Sequence, residues 1–236
     1  QRARRPWHRT KVAVGLVLLV TAVVAIIGAL TPWPSAMLIR SVFTKGGDET
    51  AAEMEKHVPD TALTEQLDVA YADGGADTTM DVFTPASATG PLPTVVWIHG
   101  GAWISGSKEN VDPYMRILAA EGYTTIAVNY TIGPEGEYPL AVHQLNDALA
   151  YIDAHADELN VDPNQIVLAG DSAGGQLASQ MATLMTSPDY AEIMGITPAL
   201  KAEQVVATVL NCGVYDLAAL AAVSYTHLRA HETGRN

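Results

Sequence analysis

Gln165-Ile166-Val167-Leu168-Ala169-Gly170-Asp171-Ser172-Ala173-Gly174 runs an apolar stretch straight into a turn of small residues centred on a serine. The stretch has the length and β-branched content of a buried strand. Gln176-Leu177-Ala178-Ser179-Gln180-Met181-Ala182, just beyond, suits a helix. A G-x-S-x-G pentapeptide between strand and helix makes a turn so tight that only small residues fit beside the serine, and it lifts the hydroxyl clear of the sheet edge. The first N–H groups of the helix then face the oxygen that reacts there. Glycine and serine are common, so the pentapeptide gains its weight from these flanks and from a second motif upstream.

That motif is His99-Gly100-Gly101-Ala102-Trp103, which follows the apolar run Pro93-Thr94-Val95-Val96-Trp97-Ile98. Acyl transfer builds negative charge on a former carbonyl oxygen, and fixed main-chain N–H donors stabilise it without reorganising. Adjacent glycines let the backbone approach a substrate with no Cβ in the way. A glycine turn that merely ends a strand is the bland reading of this piece alone. Two such motifs in this order, each closing an apolar strand, point to nucleophilic acyl chemistry.

The rest of the pattern supplies the scaffold. Strands are predicted over 66–72, 79–83, 94–98, 124–129, 165–169 and 205–210, with helices over 113–121 and 140–159. The first two strands, joined by Asp73-Gly74-Gly75, read as an antiparallel hairpin. In the second helix Leu145, Leu149, Ile152, Ala156 and Leu159 recur at helical spacing and are expected to face the sheet. His143 and Asp147, one turn apart there, read as a surface pair. Strands alternating with helices imply an α/β fold with a mostly parallel sheet covered on both faces, whose strand carboxyl ends carry the functional loops.

From about Leu67 to Leu217 the chain resembles the α/β-hydrolases of the hormone-sensitive-lipase-like group, close to bacterial carboxylesterases related to feruloyl esterases. The residues that carry the resemblance are Asp81-Val82-Phe83-Thr84-Pro85, the His99 motif, Asn129-Tyr130 with Pro134 and Tyr138-Pro139, the Ser172 turn, and Gly213-Val214-Tyr215-Asp216-Leu217. The resemblance implies that Ser172 is the nucleophile and that the N–H groups of Gly101, Ala102 and Ala173 form the oxyanion hole. It implies hydrolysis of small-molecule carboxylic esters through an acyl-serine, with no cofactor. Trp103 and Tyr130 are candidates for the substrate pocket, with packing as the alternative role. Asp171 is expected to support the turn and to point away from the hydroxyl. Two departures stand out: the third glycine usual in the oxyanion motif is Ala102, which keeps its N–H, and the family's Tyr-Arg-Leu-Ala-Pro segment reads Tyr130-Thr131-Ile132-Gly133-Pro134. An amide or peptide hydrolase of the same fold shares every motif here, and a non-catalytic, membrane-tethered binding protein is the alternative from another class.

A serine hydroxyl needs a histidine to take its proton and a carboxylate to hold that histidine. In α/β-hydrolases these follow the serine as acid and then histidine. The family's pair lies beyond Asp216, which itself reads more as the start of a cap excursion than as the acid. His8, His57, His99, His143 and His155 precede the serine, and His227 and His231 follow no recognisable strand. Ser224-Tyr225-Thr226-His227-Leu228-Arg229-Ala230-His231-Glu232-Thr233 reads as a non-native or disordered tail resembling translated sequencing adapter. The chain is therefore expected to be a truncated, inactive piece of the hydrolase.

Charge divides the chain sharply. Arg2, Arg4, Arg5, Arg9 and Lys11 crowd the start, and no acid precedes Asp48. Between residues 46 and 223 only Lys56, Lys108, Arg116 and Lys201 are cationic, within a chain of net charge −13. Such an acidic body repels nucleic acid and anionic lipid headgroups. The single cysteine, Cys212, excludes an internal disulfide and, at the end of an apolar strand, reads as a small buried hydrophobe. No internal repeat and no metal-ligand spacing is present, and the Asn129-Tyr130-Thr131 sequon is a chance match. Val12–Leu30 holds no charge and, at 1.5 Å per residue, spans about 28 Å, near the hydrocarbon thickness of a bilayer. Its length favours a retained signal anchor over a cleaved signal, with the leading cations cytoplasmic and the hydrolase domain outside. Thr31-Pro32-Trp33-Pro34 is expected to end the helix, with Trp33 at the interface. The predicted organisation is a cytoplasmic basic segment (1–11), a membrane anchor (12–34), a juxtamembrane linker (35–62), a partial α/β-hydrolase domain (63–223) and the tail (224–236).

Overall fold

Six strands pair into one mixed sheet whose register brings the carboxyl ends of the central strands level. The structure, a computed structural model, describes residues 6–217; the tail, with His227 and His231, lies outside the described residues. The strands are β1 (Leu63–Ala70), β2 (Thr79–Pro85), β3 (Leu92–Ile98), β4 (Thr124–Val128), β5 (Val161–Asp171) and β6 (Val205–Asn211), in the spatial order β1-β2-β4-β3-β5-β6. β1 and β2 form the expected antiparallel hairpin and β2 runs antiparallel to β4, whereas β4, β3, β5 and β6 are mutually parallel. Ile98 is level with Gly170, and Asp171 with Asn211. His99-Gly100 and Ser172 therefore leave the sheet side by side.

The pleat sorts the core into two faces. Val96, Ile98, Ile126, Val128 and Leu168 point to the side covered by α4 (Leu140–Ala154) and α5 (Ala173–Thr186). Val95, Trp97, Ala127 and Ala169, one residue out of phase, point to α3 (Asp112–Ala120). Leu145, Leu149, Ile152, Ala156 and Leu159 are all buried as the spacing predicts, although the helix itself stops at Ala154. A short α6 (Pro188–Met194) follows α5.

Two expectations need correction. The segment predicted as a linker is largely a helix, α2 (Trp33–Glu55), separated from α1 (Pro6–Leu30) by two residues. Gly46-Gly47 cost about 1 kcal/mol each in helix propensity, and tertiary contacts override them. Gly47 lies against the Asn110 side chain, Asn110 hydrogen-bonds Asp48 (3.1 Å), and Glu55 pairs with Arg116 (3.7 Å). Cys212 is exposed, because β6 ends at Asn211 and the chain turns there with φ 52°, which carries the thiol out of the sheet. Thr31-Pro32 does break the first helix, and Thr10–Leu30 of α1 is a 21-residue stretch of high mean hydropathy with none of it buried against the protein.

Candidate active site

Ser172 sits at φ 52°, ψ −115°, between the last residue of β5 and the first of α5. A non-glycine residue there stores about 1–3 kcal/mol, and the surroundings must hold it. They do so from both sides: the Ser172 N–H donates to the Asn211 carbonyl on β6 (2.7 Å), and the Ser172 carbonyl accepts from the Gln176 N–H (3.1 Å). Gly174 is where the turn meets its neighbour. A Cβ on it would overlap the main-chain oxygens of Ile98 and His99, so only glycine lets α5 start this close to the end of β3. The serine side chain stays half-exposed. Ala173 opens α5, where a helical N–H has no partner within the helix.

The His99 segment completes the site. Gly101, Ala102 and Trp103 take successive positive φ values of 114°, 55° and 59°. The loop curls around the Gly101 carbonyl, which accepts from the N–H groups of Ile104 (3.1 Å) and Ser105 (2.9 Å) and from the Ser105 hydroxyl (2.8 Å). Among the described residues the N–H groups of Gly101 and Ala102 find no protein acceptor. They remain free for a ligand oxygen.

Asp171 braces this arrangement. One oxygen of its carboxylate accepts from the Trp97 indole (3.1 Å) and from the Gly100 N–H (3.1 Å), tying β5 to the His99 segment and turning the group from the hydroxyl. Tyr130 is buried, stacks on His99 with ring centroids 4.4 Å apart, and donates its hydroxyl to the His99 carbonyl (2.9 Å). His99 Nδ1 lies 2.8 Å from the Gly100 carbonyl. Burial pulls the imidazole below its usual pKa, and the Gly100 contact and the charges of Asp171 and Glu109 offset this only in part. The ring is neutral packing beneath the loop. Among the described residues no histidine hydrogen-bonds Ser172, and Asp216 is exposed beyond β6.

Ser172, Gly100 and Gly101 line one cleft of about 650 Å³. Its far wall is α2, through Phe43, Gly47 and Met54. Trp103 and Tyr130 line a second cleft, of about 510 Å³, which Ser172 does not touch. There the Trp103 indole donates to the Gln176 side chain (3.3 Å).

Three features of the surrounding structure escape a reading of the sequence. Arg40 of α2 donates to the Ile104 carbonyl (2.6 Å) and to the Gly133 carbonyl, and pairs with Glu135. An arginine thus reaches the segment 130–134 from a distant helix, where the family pattern has one locally. Lys108 is buried, and its ammonium contacts Asp81 (2.8 Å), Asp68 (2.8 Å) and Glu109 (3.0 Å). Burial lowers its pKa, but the three carboxylates outweigh that and raise it overall. Asp112, beside Asp81, has one buried oxygen without a partner, and its pKa is pushed up to about 8, first by burial and then by the Asp81 charge. The one signal for this cluster was a lone aspartate, Asp81, inside an apolar strand.

The matches to known proteins agree with this geometry. The carboxylesterase NlhH of Mycobacterium tuberculosis is 37% identical over 121 residues, 51% of this chain and 38% of that protein. The chain therefore spans well under half the length of that relative. Esterase B from Lactobacillus rhamnosus superposes with a TM-score of 0.63 at 24% identity, over 77% of this chain and 59% of that one. An esterase from Pyrobaculum calidifontis does so with 0.55 at 29% identity, over 74% and 52%. The BD-FAE family model matches residues 80–234, through most of the tail that the sequence reading sets apart. Because that match takes in well over half of the chain, the protein belongs to the BD-FAE family of α/β-hydrolases.

Proposed function

We propose that the protein is a serine hydrolase of carboxylic esters, held to a membrane by α1 as a retained anchor with the hydrolase domain outside the cytoplasm. The observation that carries the chemistry is one cleft holding a half-exposed serine at a left-handed φ beside a loop with uncommitted N–H donors. The esterase names of the relatives support the same reading. Ser172 Oγ attacks the ester carbonyl carbon while a histidine takes its proton. The N–H groups of Gly101, Ala102 and Ala173 hold the oxyanion, each worth about 3 kcal/mol to the transition state. The alcohol leaves with that proton, and water then releases the acid from Ser172. The acid and histidine are assigned to residues after Asp216, in the order the fold family uses. Trp103 and Tyr130, lining the neighbouring cleft, are assigned the far end of the substrate.

The test is covalent. The chain is incubated with a fluorophosphonate, with and without added imidazole as a surrogate base, and the adduct is located by peptide mass spectrometry. Labelling of Ser172 is expected, and its loss in Ser172→Ala. Labelling of other serines but not Ser172 under both conditions overturns the reading.

A further inference from the structure

One flank of α2 carries exposed apolar side chains, from the outward Leu38 round to Phe43 at the Ser172 cleft. Leu38, Ile39, Val42 and Phe43 are 69%, 44%, 66% and 48% exposed. Their spacing, two i,i+4 pairs side by side, puts them on one strip of the helix. Ala36 and Arg40, about 200° around from Leu38 and Val42, hold the opposite side to the protein, and Phe43, about 20° around from Ala36, turns with them toward the cleft: Ala36 is buried and Arg40 bonds the loops. The stripe is therefore not a misplaced core face. It also leads somewhere. Val42 and Phe43 belong to the wall of the Ser172 cleft, and Gly46 and Gly47 continue that wall inward toward the serine.

Position supplies the occupant. The stripe begins eight residues after the apolar run of α1 ends at Leu30, and α2 starts after only Thr31 and Pro32. Phe43 lies about 15 Å along α2 from Trp33 at 1.5 Å per residue. A helix tied this closely to a membrane span lies within reach of the interface, where an amphipathic helix sinks its apolar face about 5–10 Å. Trp33, 44% exposed at the joint, has the amphipathic ring that favours that depth.

We infer that α2 lies in the membrane interface with Leu38, Ile39 and Val42 in lipid and Phe43 at the mouth of the cleft, so that the Ser172 cleft opens onto the bilayer and takes esters with long hydrocarbon chains dissolved in it. This rests on both the anchor and the esterase readings. The hydrocarbon tail follows the stripe while the ester group reaches the serine. Gly46 and Gly47, where side chains would narrow the passage, leave it open. Arg40 keeps the helix, the oxyanion loop and the cleft wall in one arrangement.

Single cysteines carrying an environment-sensitive fluorophore, placed by Val20→Cys, Val42→Cys or Glu49→Cys on a Cys212→Ser background, test the placement in phosphatidylcholine vesicles. Position 20 is expected to be quenched by lipids spin-labelled deep in the chain, position 42 by lipids labelled near the headgroup, and position 49 by aqueous iodide alone. Iodide quenching of position 42 with lipid quenching of position 20 overturns the inference and leaves the anchor standing. Iodide quenching of both removes the anchor and the inference together. A pyrene excimer between two copies labelled at position 42 shows a second copy on the stripe and also overturns it. The substrate class is read separately, by labelling Ser172 with a long-chain fluorophosphonate dissolved in the vesicles and with a short water-soluble one. Leu38→Ser with Ile39→Ser, neither lining the cleft, is expected to slow the membrane-borne probe about tenfold and leave the soluble one unchanged. Equal slowing, or none, overturns the lipid route, whereas failure of both probes on the unaltered chain, with imidazole added as the base, fells the hydrolase reading itself.

Discussion

Lys108 is a surface residue type buried just after the loop that curls around the Gly101 carbonyl. Its ammonium meets Asp81 in the interior, and its main-chain N–H donates to the Asn129 side chain (2.7 Å), which anchors the stretch that follows Ser105 and Gly106 to β4. Two charges inside a core cost several kcal/mol each to desolvate, and pairing little more than repays that. Removing one partner therefore hurts far more than removing both. Lys108→Met is expected to destabilise the protein by about 3–5 kcal/mol in urea unfolding, since Asp81 is left charged and buried. Adding Asp81→Asn to it should recover a large part of that loss. Equal stability for the single and the double variant would show that the pair is not a unit.

At the scale of elements, Arg40 joins α2 to the loops that carry Ile104 and Gly133. Arg40 reaches the Ile104 and Gly133 carbonyls and Glu135 at once, and its side chain is 23% exposed. Hydrogen bonds to a charged group are worth about 1.5–3 kcal/mol when sheltered, and partial exposure brings the set to about 1–2 kcal/mol. Arg40→Met is expected to speed amide exchange about tenfold in residues 36–47 and 101–106, with β3 and β5 unchanged. Exchange unaltered in α2 would mean that the helix is held by other contacts. The same helix shows what a linear reading misses. Strands β3 and β5 and the turns after them were legible because each residue's local preference agrees with its place: an unbroken apolar run, then glycines where backbones meet. For α2 the local and global signals disagree. Gly46-Gly47 and the mixed charges after Lys45 read as a linker, and the partners that make it a helix, Asn110 and Arg116 among them, lie more than 60 residues away. Cys212 was misjudged for a related reason, since the left-handed turn after Asn211 answers to the elbow bond from Ser172 and not to its own strand.

For the molecule as a whole, charge and burial make stability depend on pH in a definite direction. With a net charge of −13, the body repels itself more strongly as the pH rises through the carboxylate range. Asp112 adds a specific contribution of the same sign. Its carboxyl, buried beside Asp81, holds its proton up to about pH 8, whereas in the unfolded chain it releases that proton near its ordinary value of 3.8. Between those two values the folded state binds more protons than the unfolded one, so the unfolding free energy falls as pH increases. The loss begins near pH 4 and is complete above about pH 8. Asp112→Asn keeps the shape and the neutral form at every pH, and so is expected to flatten the curve. In urea titrations at pH 5 and pH 8.5 the unaltered protein should lose about 2–4 kcal/mol more than the variant does. At pH 8.5 the variant should be the more stable of the two, because it has no proton to give up beside Asp81. Parallel curves for the two proteins would place the charge of Asp112 in water and remove it from the buried cluster.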